Sequence, residues 1–291
     1  MGFRIGAMLE SFRCGTVEAV RKCVELGVTG VQFYGGSGNL DVDKLSDDDI
    51  LQFAKLLCDN RLAVSAVCGD LGGFGFERKE ENEFKIAKSK RIVDLAVKLN
   101  ARVVTTHIGV LPQQRNEVYE NIYFVCSELG KYAFECGVTF AIETGPEKIA
   151  DLKVFLDNLP TKGVGVNYDP ANIVMVTEDD YVNGVQLLKE YIVHTHAKDG
   201  VMRKKTTPEF IYHKFAIVDE EAFDPSPYFL ETPLGEGAVD FSVYLHALND
   251  ISYCGFLTIE REVGDRPYDD IKKAKDYLTE MMYRLSIPLE I

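Results

Sequence analysis

Five ionisable side chains close short, mostly apolar segments that are spread along the chain. Glu260 directly follows the run 256–259, for example, and Glu143 follows 138–142. The carboxyl ends of parallel strands meet at one edge of a sheet, so residues in this position can lie together although they are distant in sequence. The five residues are His107, Glu143, Asp169, His196 and Glu260.

Three of the five are carboxylates, and the combination indicates a metal site. Glu143, Asp169 and Glu260 in one partly dry place would repel one another, and burial also opposes their ionisation. A divalent cation bound by these carboxylates and by His196 removes the conflict. Because most of the ligand atoms are oxygens, we expect one Mn²⁺, with Mg²⁺ or Co²⁺ as alternatives and Zn²⁺ still open. His194 shares a strand face with His196 but lies deeper, so we expect it to have a structural role or to support the metal ligands without binding the ion.

Short β-rich segments alternate with segments of helical period along the whole chain, and this alternation must position the five residues. Eight strand–helix pairs can be counted, and the strands are almost continuously apolar, as strands covered on both faces must be. We predict a (β/α)8 TIM barrel, with residues 1–291 as a single domain, rather than an open sheet. The predicted strands are Phe3–Leu9, Gly30–Tyr34, Ala63–Cys68, Arg102–His107, Thr139–Glu143, Gly163–Asp169, Ile192–Ala197 and Phe256–Glu260.

Typical capping residues bound several of the predicted helices. Ser46 precedes three aspartates, which suits the amino end of a helix that begins there. Gly27, Gly137 and Gly255 each stand between a predicted helix and the next strand. Helices often end there with a residue in the left-handed conformation, which glycine adopts readily, so we predict this conformation for all three.

Residues 198–239 interrupt the alternation between the seventh strand and its helix. This segment contains four prolines and six aromatic residues and is too long for an ordinary connection. We expect a long loop that forms a lid over the active site, with a subunit-contact arm as the alternative. Lys198 and Arg203 could bind a phosphate or carboxylate of the substrate. No glycine-rich phosphate loop accompanies them, so phosphorylation of the substrate stays open.

The composition excludes several classes of partner. The 291 residues include 46 acidic and 32 basic side chains, which gives a net charge of −14. Nucleic acids and membrane surfaces are negatively charged and attract basic proteins, so we expect neither as a partner. Hydrophobic residues make up 46% of the chain, which suits a globular fold. We expect a cytoplasmic protein whose seven cysteines are reduced.

Six short motifs, taken in their order along the chain, resemble those of the sugar phosphate isomerase/epimerase family in the xylose isomerase-like TIM-barrel superfamily. The resemblance covers nearly the whole chain. It implies that Glu143, Asp169, His196 and Glu260 bind one metal ion, and that the two glutamates can also move protons. The motifs are Thr106–Gly109, Ala141–Glu143, Asn167–Asn172, His196–Asp199, Leu234–Phe241 and Ile259–Glu262.

This resemblance implies a metal-dependent isomerase or epimerase that acts on a small sugar. Such an enzyme removes a proton next to the carbonyl of a ketose or related polyol ketone, and a metal ion stabilises the resulting enediolate. One of Glu143 and Glu260 would take the proton and the other would return it. His107 would hydrogen-bond a substrate hydroxyl or a metal-bound water. A homo-oligomer is compatible with the sequence.

Three alternatives accompany this reading. An inosose-type dehydratase would use the same metal site but expel a hydroxyl group, and the sequence discriminates poorly between the two reactions. A non-catalytic sugar-binding barrel is disfavoured because three gathered carboxylates are costly without a metal ion. Apurinic endonucleases of the superfamily carry a histidine where Asn172 stands, and a net charge of −14 argues against DNA binding.

Overall fold

Eight parallel strands close into a barrel in the computed structural model, which describes residues 2–217 and 223–290. The strands follow one another around the barrel in chain order, and the last pairs with the first. This confirms the predicted (β/α)8 TIM barrel. The barrel strands are β1 (Arg4–Met8), β2 (Gly30–Tyr34), β3 (Ala63–Cys68), β4 (Val103–Thr106), β5 (Thr139–Glu143), β6 (Val164–Tyr168), β7 (Ile192–Ala197) and β10 (Phe256–Ile259).

Helices surround the barrel and cover the apolar outer faces of its strands. None of the helices in the described ranges is both long and apolar enough to cross a membrane. A short π-helical turn, 173–177, follows α6. The helices are α1 (Thr16–Leu26), α2 (Asp47–Asp59), α3 (Lys79–Lys98), α4 (Glu117–Glu135), α5 (Ile149–Asn158), α6 (Pro170–Asn172), α7 (Tyr181–Leu187), α8 (Pro208–Ala216), α9 (Phe241–Asp250) and α10 (Pro267–Arg284).

The helix ends in the structure match the capping residues predicted from the sequence in all but one case. Ser46 begins α2 with a capping box, in which its side chain accepts a hydrogen bond from the backbone of Asp49. Gly27 and Gly137 have the expected positive φ angles of 69° and 71°. The prediction for Gly255 is wrong, because Ser252, with φ of 60°, takes the left-handed conformation directly after α9. Gly255 is needed for space instead, since a Cβ there would lie 2.3 Å from the Tyr253 hydroxyl.

The interior of the barrel is polar, in contrast to the apolar layer between strands and helices. Thr258 Oγ1 lies 3.2 Å from Ser65 Oγ and 2.9 Å from His194 Nε2. His194 Nδ1 in turn lies 2.8 Å from Asn167 Oδ1. All four residues are buried, so these hydrogen bonds satisfy groups that water does not reach. They form a rigid floor beneath the carboxyl ends of the strands.

The segment between β7 and α9 folds further than a loop. Two short antiparallel strands, β8 (Asp199–Met202) and β9 (Phe229–Thr232), form a hairpin that begins directly after β7. Helix α8 lies between these two strands in the sequence. The side chain of Thr207 caps the helix by accepting a hydrogen bond from the Phe210 amide. The expectation of a loop therefore needs correction: local pairing supplies the hydrogen bonds that a structureless segment of this length would lack.

Asp199 fixes the segment that leads back to the barrel. Its carboxylate accepts backbone hydrogen bonds from Gly200, Gly235, Gly237 and Val239 over 2.8–3.1 Å. Burial raises the pKa of Asp199 although the hydrogen bonds from the backbone oppose the increase. A single buried side chain thus holds the hairpin and the segment 235–239 in one arrangement.

Replacing Asp199 with alanine should lower the free energy of unfolding by about 3 kcal/mol, because several buried N–H groups lose their acceptor. Urea unfolding followed by circular dichroism measures the change. The matched control is Asp265→Ala, which removes an exposed carboxylate and should change stability by less than about 0.5 kcal/mol. Equal stability of the two variants would contradict this structural role.

Candidate metal centre and substrate cavity

Four of the residues predicted from sequence lie together at the carboxyl end of the barrel. Each offers one ligand atom, all four side chains are buried, and the four atoms lie within 4.8 Å of one another. Such a group could hold a metal ion. Its members are Glu143, Asp169, His196 and Glu260.

His196 stands at the centre of this group, which we call the carboxylate cluster. Its Nδ1 lies 3.6 Å from Glu143 Oε1, 3.4 Å from Asp169 Oδ2 and 3.2 Å from Glu260 Oε2. On the other side of the ring, Nε2 lies 3.1 Å from Gln32 Oε1. The donor Asn167 Nδ2 also lies 3.3 Å from Nε2, so this nitrogen has one acceptor and one donor beside it, and Nδ1 faces the carboxylates.

Two local features orient the carboxylates of β5 and β6. Asp169 caps α6, so its Oδ1 accepts from the backbone amides of Ala171 and Asn172 and only Oδ2 faces His196. Glu143 accepts from the side-chain amides of Asn167 and Asn172, each over 3.0 Å. These hydrogen bonds hold both carboxylates in place. They do not involve Asp169 Oδ2, the oxygen that faces His196.

Glu260 has a lysine as its neighbour. Lys198 Nζ lies 3.0 Å from its Oε2 and also contacts Glu262, while Glu231 of β9 lies 3.7 Å away. Burial raises the pKa of Glu260, but His196 and Lys198 outweigh this effect and hold the pKa well below its usual value. The sequence predicted Lys198 as a substrate contact; in the structure it lines the cavity and is paired with carboxylates.

His107 lies at the edge of the carboxylate cluster. Its Nδ1 contacts Asp70 Oδ2 at 3.0 Å, and its Nε2 lies 3.6 Å from Glu143 Oε1. Burial lowers the pKa of His107, but Glu143 and Asp70 raise it to about 10. The imidazole therefore presents an N–H donor toward the cavity. This position suits the predicted contact with a substrate hydroxyl.

The cluster is chemically suited to a divalent cation. Asp169 Oδ2 and His196 Nδ1 are buried and have no hydrogen-bond partner among the described residues. Burial lowers the pKa of His196, but the carboxylates of Glu260 and Glu143 raise it well above its usual value. Unpartnered buried ligand atoms and gathered negative charge are costly, and an ion bound by these oxygens and this nitrogen would remove both costs.

A cavity of about 630 Å³ opens above the cluster. The barrel supplies its polar end, including His107, Glu143 and Glu260. The insertion between β7 and α9 supplies much of the remainder, including Tyr212 and Phe229. Residues 218–222 of the predicted lid lie outside the described part of the chain. The described part of the insertion lines the cavity, and its role as a lid stays a prediction.

The basic group Arg203–Lys205 has other contacts. Arg203 donates to the backbone oxygen of Ser226, and Lys204 lies over the ring of Tyr228. Lys205 forms an ion pair with Glu178. These three basic side chains are absent from the described wall of the cavity, so the structure does not bring Arg203 to the predicted substrate position.

One contact ties the insertion to the barrel across the mouth of the cavity. His213 of α8 lies with Nε2 at 3.0 Å from Glu77 Oε2, and its ring is 5.0 Å from that of Phe74. Glu77 also accepts from the amide of Val110. Both Glu77 and Phe74 belong to the segment between β3 and α3, so the contact spans two elements that are distant in sequence.

Sequence reasoning missed several residues of the site. Asp70 stands two residues after β3, and the rule that located the other strand-end groups could have found it. Gln32 is a polar residue within the apolar β2, which is also a visible signal. Glu77 and Glu231 gave no such signal, because their roles depend on partners in distant segments.

Comparison with known proteins agrees with the fold. Residues 20–281 match the profile of the xylose isomerase-like TIM barrel. The chain belongs to this family. A curated relative, the uncharacterized protein MJ1311 of Methanocaldococcus jannaschii, is 21% identical over 202 residues, which are 65% of this chain and 59% of that protein. The matched region thus spans less than two thirds of that relative.

Solved xylose isomerase-like barrels share the fold over almost their full length. A xylose isomerase domain protein from Planctomyces limnophilus superposes with a TM-score of 0.77, at 22% identity and 98% coverage of both chains. A D-tagatose 3-epimerase-like protein gives 0.75 at 17% identity, again covering 98% of both chains. A family member from Mycobacterium smegmatis, in complex with magnesium, gives 0.73 at 19% identity and 97% coverage of both.

Protein purified without chelators should contain about one equivalent of a divalent metal ion. Asp169→Ala removes one ligand oxygen and should weaken metal binding by about 100-fold or more. Elemental analysis and calorimetric titration with Mn²⁺ measure both quantities. Asp70→Asn is the matched control, because it changes a nearby aspartate outside the carboxylate cluster and should leave the metal content intact. Wild-type protein that binds none of Mn²⁺, Mg²⁺, Co²⁺ and Zn²⁺ would rule out this site.

His213→Ala should loosen the insertion and increase tryptic cleavage within residues 203–216 by about two- to fivefold. A partly exposed hydrogen bond between two side chains contributes only about 0.5–1 kcal/mol, which sets this size. Gel electrophoresis of timed digests measures the rate, and a bound substrate should slow it. His246→Ala, which removes an exposed histidine on α9, is the matched control and should have little effect. Identical digestion with and without a ligand of proven affinity would indicate a static arm.

Proposed function

We propose that the protein is a divalent-metal-dependent isomerase or epimerase that moves a proton next to the carbonyl of a ketose or related polyol ketone. One observation carries the proposal. Two buried glutamates, Glu143 at the end of β5 and Glu260 directly after β10, lie three strands apart around the barrel. Both belong to the carboxylate cluster at the base of the cavity. A substrate at this point would have a carboxylate on two sides.

Glu260 is suited to accept a proton from carbon. Lys198 and His196 favour its ionised form, so the carboxylate persists although water is largely excluded. A general base must be ionised before it reacts and within hydrogen-bond reach of the proton that it removes. Lys198 would orient the carboxylate and remain protonated, since the surrounding carboxylates hold its pKa well above the usual value although burial lowers it.

Glu143 is suited to deliver a proton to the other face. Two asparagine amides hold its oxygens, and His107 stands beside it with a donor toward the cavity. When bound, a divalent ion would supply positive charge where negative charge develops on the carbonyl oxygen during proton removal. The ligands would be Glu143, Asp169, His196 and Glu260. His107 would bind a substrate hydroxyl and so fix which carbon lies between the two glutamates.

The product depends on which glutamate returns the proton and on which carbon receives it. Removal by one carboxylate and return by the other, at the same carbon, gives the epimer. Return to the neighbouring carbon gives the aldose. The similarity to a D-tagatose 3-epimerase-like protein supports the first outcome. Dehydration of an inosose-type substrate would begin with the same proton removal, and product analysis by NMR distinguishes it because a water molecule is lost.

The proton movement can be tested with a panel of ketoses and keto-inositols in deuterated water with added Mn²⁺. Deuterium should enter the substrate next to its carbonyl. Glu143→Gln and Glu260→Gln keep one ligand oxygen but remove the base, so turnover at saturating metal should fall by about 10²- to 10⁴-fold. One variant should still exchange the proton of one epimer without completing the inversion.

Glu25→Gln is the matched control, because it alters an exposed glutamate on α1 and should keep the wild-type rate. The metal affinity of each variant must be measured in parallel, since weaker metal binding alone could lower the rate. Near wild-type turnover of both glutamine variants of the cluster would refute the roles of Glu143 and Glu260 as acid and base.

A further inference from the structure

The described wall of the cavity is rich in negative charge and carries little free positive charge. Its cationic or potentially cationic side chains are Lys198, His107 and His213, and each already contacts at least one carboxylate. The carboxylates of the wall number seven among the described residues. They are Asp70, Glu77, Glu143, Asp224, Glu231, Glu260 and Glu262.

This balance disfavours a phosphorylated substrate. A phosphate needs unpaired donors, which Arg, Lys or a helix amino end normally provides. A divalent ion at the carboxylate cluster would offset charge only at the base of the cavity, where the carbonyl end of the substrate would lie. Farther out, a phosphate would meet Asp224 and Glu262 without a free cation, and unmatched like charges oppose binding. The nearby basic group Arg203–Lys205 is engaged elsewhere.

The insertion gives the outer part of the cavity an apolar wall. Ile211 and Phe215 of α8 line it together with Pro225, Phe229 and Leu230. Phe215 packs edge-on against Phe223, with ring centroids 5.2 Å apart, so the aromatic surface is held in place. A free sugar is covered by hydroxyl groups, and such a surface offers them no hydrogen-bond partners.

The volume also exceeds the needs of one small sugar. The cavity of about 630 Å³ falls within the range of roughly 300–1,000 Å³ that is typical of sites for drug-sized ligands, which are larger than a hexose. Space therefore remains beyond a sugar ring placed at the cluster. That remaining space is the part bordered by the apolar residues of the insertion.

We propose that the substrate is an uncharged keto sugar that carries an apolar substituent, as in a glycoside with an alkyl or aryl aglycone. The sugar would lie against the carboxylate cluster, and the substituent would lie against Phe215 and the other apolar residues of the insertion. This proposal rests on the proposed function, because it assumes that the keto group binds at the cluster. It assigns the insertion the task of selecting the substituent.

Three matched compounds test the proposal: the methyl glycoside of a keto-glucose, the phenyl glycoside of the same sugar, and the 6-phosphate of the methyl compound. Calorimetric titration of the Mn²⁺-loaded protein measures each dissociation constant. The phenyl glycoside should bind about 10- to 100-fold more tightly than the methyl glycoside, as expected for filling an apolar pocket. The phosphate should bind more weakly than its uncharged parent.

Phe215→Ser should remove most of the difference in affinity between the phenyl glycoside and the methyl glycoside. Phe215 is 53% exposed, so this variant should fold. Phe134→Ser is the matched control, because Phe134 is a similarly exposed phenylalanine, at 62%, on α4 outside the described cavity wall. The control should keep the wild-type ratio of the two dissociation constants.

Equal affinity for the phenyl and methyl glycosides, tighter binding of the phosphate, or an unchanged preference in Phe215→Ser would each overturn the proposal. Deuterium exchange into the same compounds separates this failure from that of the proposed function. If the methyl glycoside exchanges its proton and the phenyl preference is absent, only the substituent proposal fails. If none of the three compounds binds or exchanges, the proposed function fails and the substituent proposal fails with it.

Discussion

The arrangement of the whole site follows from mutual repulsion among three carboxylates that the barrel forces together. Glu143, Asp169 and Glu260 surround one imidazole at distances below 4 Å, in a place that water scarcely reaches. Each carboxylate has a separate source of compensation: amide donors for Glu143, a helix amino end for Asp169 and a lysine for Glu260. Positive charge at the common centre would complete this compensation, because only there do all three face one another.

The sequence was sufficient to predict the barrel and the membership of the cluster, for a geometric reason. In a closed parallel sheet, the carboxyl ends of all strands lie in one ring. A residue that ends an apolar strand in the sequence is therefore expected to lie in that ring. The positions of Glu143, Asp169, His196 and Glu260 followed from this rule. The six motifs pointed to the family that the profile comparison confirms. The roles of these residues as ligands and bases remain predictions.

What the sequence did not predict depends on contacts between distant segments. Lys198 and Arg203 both looked like free cations, yet the first is paired with Glu260 and the second donates to a backbone oxygen. The fold of the insertion depends on the pairing of β8 with β9, whose strands are only four residues each and are separated by a long excursion. Short strands of this kind leave a weak periodic signal. Ser252 likewise took the left-handed position that the sequence suggested for Gly255.

The hairpin has a consequence for how the chain can vary in length. Met202 pairs with Phe229, so the excursion 203–228 leaves and returns at neighbouring points above the barrel. Because its two ends are already held together, doubling the length of a flexible excursion costs only about 0.6 kcal/mol of closure entropy. Insertions and deletions in this stretch would reshape the outer cavity while the strand register, and with it the carboxylate cluster, stayed unchanged. The barrel does not need this stretch for its own closure, so the outer cavity could change without loss of the barrel.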